Sequence, residues 1–84
     1  MLDLGGRYVR TRDILGVFDL DNTTVQKATR EYLAAAEQRG GVVTVSYDLP
    51  RSFVVTAQAD GRTVYLSPVS AGTLKARGTK ENRF

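Results

Sequence analysis

The sequence predicts an α+β domain: a small, mostly antiparallel sheet of about five to six short strands, one long helix packed on it, and a short C-terminal helix. Three observations predict it. Short runs of β-branched and aromatic residues are closed by glycine, proline or aspartate. Only one stretch carries apolar residues at three- and four-residue spacing. With 84 residues, the chain has room for one domain.

Leu2 to Leu4 alternate apolar and polar, and Gly5-Gly6 turns the chain. Tyr8-Val9 and Ile14 to Phe18 read as strands, with Gly16 marking a bulge or a close backbone approach. Asp19 to Thr24 is a turn that becomes a helix start, where Thr23 and Gln26 have the capping-box spacing. Val25, Ala28, Tyr32 and Ala36, with Thr29, Leu33 and Ala35 beside them, form the apolar stripe of a helix of about four turns. Arg39 suits the helix dipole, and Gly40-Gly41 supplies a left-handed stop. Val42 to Tyr47 is a strand and Asp48-Leu49-Pro50 a turn. Ser52 to Ala57 and Thr63 to Ser67 form a hairpin across Asp60-Gly61. Residues 70–76 have room for one or two helical turns. The domain is expected to span 1–77, with 78–84 a flexible basic tail.

Composition narrows the function. Hydrophobic residues make up 42%, enough for a core and too many for a disordered chain. Cysteine and histidine are both absent, which removes disulfides, the usual zinc ligands and the commonest general base. No cofactor is therefore expected. A domain of this size buries too little surface to be stable with ease, and self-association is the remaining staple. No run approaches a membrane span, and the start lacks the pattern of a signal peptide, so a cytoplasmic location is expected. The net charge is +3. Residues 75–84 hold four basic residues against one acid, and residues 1–74 hold eight of each, so the excess is assigned to the tail.

Asp19-Leu20-Asp21-Asn22-Thr23 resembles the first motif of haloacid-dehalogenase-type phosphatases, in which the first aspartate attacks phosphate and the second is the acid/base. That chemistry needs a doubly wound parallel sheet and further metal-holding acids, and Asp48 and Asp60 stand singly in turns. Turn and capping roles are the preferred reading, and no enzyme is expected.

A resemblance covers the whole domain. It is carried by Thr11-Arg12-Asp13-Ile14-Leu15-Gly16-Val17-Phe18-Asp19, by Asn22 to Val25, and by Thr29-Arg30-Glu31-Tyr32-Leu33. It continues through residues 45–55, Val64-Tyr65-Leu66-Ser67-Pro68 and residues 70–77. In this order of pieces the chain resembles the bacterial extracellular-matrix (biofilm) regulatory proteins of the RemA/RemB type, most closely the RemB-like branch. The resemblance implies a cytoplasmic protein that forms closed homo-oligomeric rings. It also implies arginines around the ring that bind double-stranded DNA and activate matrix genes. Repetition by symmetry turns modest charge per subunit into a continuous phosphate-binding track. One arginine of the RemA branch aligns near Asp13, beside Arg12. A pair of them aligns with Leu49 and Pro50, beside Arg51.

The candidate DNA-binding residues are accordingly Arg7, Arg10, Arg12 and Arg51, the first three expected to share one face of an extended segment. Lys27, Arg30, Glu31 and Glu37 read as a solvated helix face, and Tyr8, Tyr47 and Tyr65 as core or interface. No base-reading helix is evident, so specificity would come from DNA shape. The alternative is a structural or protein-interaction module of the same family without DNA binding. Neither reading calls for a membrane or a small-molecule substrate.

Overall fold

The computed structural model describes residues 1–20 and 27–80. Its elements are β1 (Leu2–Asp3), β2 (Tyr8–Val9), a 3-10 turn (Thr11–Asp13), β3 (Ile14–Asp19), α1 (Lys27–Gln38), β4 (Val42–Thr44), β5 (Ser52–Gln58), β6 (Gly61–Ser67) and α2 (Ala71–Lys80). β1 and β2 form a two-stranded antiparallel ribbon, and the other strands form one sheet in the order β3-β5-β6-β4. The α+β class is as expected. The capping box at Thr23 and Gln26, the aspartate at 21 and residues 81–84 lie outside the described residues.

The sheet is mixed. β5 pairs antiparallel with both β3 and β6, but β4 runs parallel to β6, with Val42 opposite Val64 and Thr44 opposite Leu66. β3 and β4 therefore point the same way on opposite edges, joined across the sheet by the crossover that contains α1. The expected mostly antiparallel sheet and the β5–β6 hairpin are found, and the parallel β4–β6 pair is the departure. A helix of this length returns the chain to the end of the sheet where it started, so the next strand runs parallel to β3.

Alternation along the strands sends side chains to two faces. Phe53, Val55 and Val64 point to the face covered by α1, where Ala36 is fully buried and Tyr32 and Leu33 pack beside it. Val17, Val54 and Tyr65 point to the opposite face, where they meet Leu2, Leu4, Val9, Ala71 and Leu74. The β1–β2 ribbon and α2 thus cover this second face from within the chain.

The C-terminal helix is longer than the sequence suggested. Its buried positions, Ala71, Leu74 and Gly78, follow helical spacing, but two of the three are too small to signal a stripe. Ser70 starts it as an N-cap: its Oγ accepts the Thr73 N–H at 3.3 Å and donates to Thr73 Oγ1 at 2.9 Å. The helix runs to Lys80, three residues past the expected end of the domain at 77. Lys75, Arg77 and Lys80 thus belong to folded structure. Residues 1–80 hold eleven basic and eight acidic residues, so the whole net charge of +3 sits on them rather than on a tail.

Side-chain bonds tie the two ends of the chain together. Arg77 Nη1 donates to the Asp3 carbonyl at 2.8 Å, and the buried Ser67 hydroxyl donates to the Leu4 carbonyl at 2.6 Å. Ser52 Oγ donates to the Val69 carbonyl at 2.7 Å, and Thr56 Oγ1 to the Thr63 carbonyl at 3.0 Å. The buried hydroxyls of the sheet are thus satisfied, which removes the desolvation penalty that burying them would otherwise carry.

α1 ends as expected. Gly40 has φ +71, its N–H donates to Glu37 O at 2.9 Å, and the Gly41 N–H donates to Ala36 O at 2.9 Å. These are the two bonds of a Schellman stop.

Candidate nucleic-acid interface

The four sequence-predicted arginines are all exposed, but they do not form one patch. Arg7 precedes β2 and lies over the buried Tyr65, its guanidinium carbon 5.4 Å from the ring centroid. This is a cation–π contact that also shields the ring from water. Arg10 caps the 3-10 turn, and its Nε donates to Asp13 Oδ2 at 3.2 Å, so a neighbouring carboxylate answers its charge. Arg12 sits within the 3-10 turn itself. The extended segment expected to align Arg7, Arg10 and Arg12 on one face is therefore interrupted: the chain bends at Thr11–Asp13, and Thr11 is buried at the bend.

Arg51 stands elsewhere. Its N–H donates to Ser67 O at 2.8 Å, and its carbonyl accepts from the Leu20 N–H at 2.9 Å, which fixes it at the far end of β3. Ile14 is opposite Thr56 and Asp19 is opposite Ser52, so Arg12 and Arg51 flank opposite ends of the β3–β5 pair. At roughly 3.3 Å per residue the strand between them alone spans about 17 Å.

Arg12 has other companions. β3, β6 and β4 all begin at the same end of the sheet, because all three run parallel. Arg12 precedes β3, Arg62 opens β6, and Arg39 lies in the turn before β4, where Gly41 O accepts the Val64 N–H at 2.7 Å. All three arginines are exposed. Sequence reasoning passed over Arg39 and Arg62 because they are 27 and 50 positions from Arg12. The antiparallel β5 between β3 and β6 brings Arg62 to the end of Arg12, and the parallel crossover adds Arg39. The signal lay in strand direction, which no local pattern encodes.

Asp19 ends β3 and is exposed. Asp48 belongs to the turn after β4, where its N–H donates to Ser46 Oγ at 3.1 Å and its Oδ2 accepts from that hydroxyl at 3.3 Å. Such self-contained bonding is what a turn aspartate makes. Of the three tyrosines expected in core or interface, Tyr65 is buried, whereas Tyr8 and Tyr47 are exposed.

Among the described residues, no helix is long and apolar enough to cross a membrane. Comparison with protein-family models, with curated proteins and with solved structures yields no match to this chain.

Proposed function

We propose that the chain is a ring-forming transcriptional regulatory protein that binds double-stranded DNA through its phosphate backbone, acting in biofilm-matrix gene regulation, as its resemblance to the RemA/RemB-type regulators implies. The observation that supports the reading best is the row of Arg12, Arg39 and Arg62 along one end of the sheet. Phosphate binding needs mobile, exposed cations on a common edge more than it needs a shaped pocket. A positive excess carried by the folded residues, not by a tail, favours the same reading. In a ring each subunit would repeat the row, and the duplex would meet a track of arginines.

A salt titration tests it. Binding to long duplex DNA should weaken steeply with salt, and Arg12→Ala should weaken it on every sequence and lower the log–log salt slope by about 1. Arg51→Ala, at the opposite end, reports whether the track includes that end. An unchanged slope in the Arg12→Ala protein, or no binding even at low salt, would remove the DNA reading. The alternative, an interaction module without DNA binding, is favoured by Leu49 and Pro50. They stand where the resemblance implies a basic pair, and Leu49 is among the most exposed apolar side chains of the described residues.

A further inference from the structure

Among the described residues, α1 packs over β4, β6 and the buried Phe53 and Val55 of β5, and leaves Leu15 and Phe18 of β3 exposed along an open apolar groove of about 380 Å³. Leu15, Gly16, Phe18 and Val55 form its floor and edge, and Ala28 and Tyr32 its helical wall. Leu15 is 59% exposed and Phe18 48%. β3 is also an edge strand, with a row of backbone groups facing outward. Long apolar edges of this kind invite association unless something covers them.

The same chain carries an apolar protrusion. In the turn between β4 and β5, Tyr47 and Leu49 are exposed to 108% and 84%. This turn is held in shape by the Ser46–Asp48 bonds and by the Arg51 N–H on Ser67 O. Tyr47 and Leu49 are thus presented on a braced turn, which lowers the ordering cost of docking them. Four of the six large apolar side chains exposed among the described residues fall on this one groove and this one protrusion.

We propose that Tyr47 and Leu49 of one copy seat in the β3/α1 groove of the next copy. The inference rests on the self-association in the reading above and names its surface. An aromatic ring and a leucine entering a hollow are the anchors that dominate protein interfaces. Lys27 and Glu31 flank the helical wall in an exposed pair 3.9 Å apart, and a long exposed pair of this kind is cheaply exchanged for new partners. Groove and protrusion are different surfaces, so the contact is head-to-tail, and repetition gives a closed ring or an open chain.

The test uses two blocked proteins, Leu49→Asp in the protrusion and Leu15→Asp in the groove. Both positions are exposed, and circular dichroism checks that each protein folds. Ala28→Arg replaces the groove variant if Leu15→Asp does not. Sedimentation should find each blocked protein as a 9.2 kDa monomer. A one-to-one mixture should form a dimer of twice that mass and nothing larger, because one intact groove and one intact protrusion remain. Blocked proteins that keep the wild-type size, or a mixture that stays monomeric, would overturn this interface while leaving self-association standing. A wild-type chain that is monomeric at the same concentration would overturn both, and the groove would then belong to another occupant.

Discussion

At the scale of single residues, Gly16 shows how a missing side chain shapes the surface. A Cβ there would lie 2.7 Å and 2.9 Å from Cε2 and Cζ of Phe18. The Phe18 ring uses that space to stack on Phe53, with centroids 4.9 Å apart and planes 17° from parallel. Gly16→Ala would push the ring aside, and urea denaturation should show a loss of about 1 kcal/mol, the worth of an aromatic pair. The sequence marked Gly16 as a bulge or a close approach, and both occur, since the β3–β5 register shifts between Ile14 and Gly16. Asp3 was not singled out, because its partners are backbone groups. Its Oδ1 accepts the Gly5 N–H at 2.9 Å and the Gly6 N–H at 3.1 Å. These two bonds, Gly5's first, hold its pKa below the ordinary 3.8, with Arg77 acting in the same direction and desolvation opposing. A lowered folded-state pKa contributes stability that is complete above the unfolded value and lost as pH falls through the folded one. Asp3→Ala should therefore flatten the acid side of the stability profile, read as melting temperature between roughly pH 2 and 5, where the wild-type carboxylate titrates.

At the scale of elements, what was legible depended on how local the cause was. α1 could be read because its stripe and its glycine stop are written within neighbouring residues. The β5–β6 hairpin could be read from Asp60-Gly61 and the β-branched runs on either side. The direction of β4 could not, because three residues, Val42–Thr44, pair with a strand some twenty positions away. The length of α2 was hidden for another reason. Its core side is made by Ala71, Leu74 and Gly78, and glycines occupy two of its ten positions, which lowers any estimate of helix propensity. Tertiary packing and the Ser70 cap overcome that deficit. Ser70→Ala should cost about 1 kcal/mol by thermal or chemical unfolding, typical for an N-cap. Hydrogen exchange should locate the loss in the first turn of α2. The candidate site was half legible for the same reasons: the exposed arginines were visible as residues, but their neighbours were set by strand direction.

At the scale of the whole molecule, the sheet is asymmetric in how it is finished. The face under α2 and the β1–β2 ribbon is closed by the chain itself, and the face under α1 is left partly open along β3. The closure is made by partners distant in sequence, since Ser67 and Leu4 are 63 positions apart and Arg77 and Asp3 are 74. Loop closure over such spans carries a large entropic penalty that only a formed sheet repays. The β5–β6 hairpin, with its tight turn, is suited to form within microseconds. The ribbon and α2 dock only after the sheet beneath them exists, and each holds the other in place. The timing of folding therefore follows from the clasp. Until it closes, Val17, Val54 and Tyr65 stay bare, and a sheet face in that state is open to association with other unfinished chains.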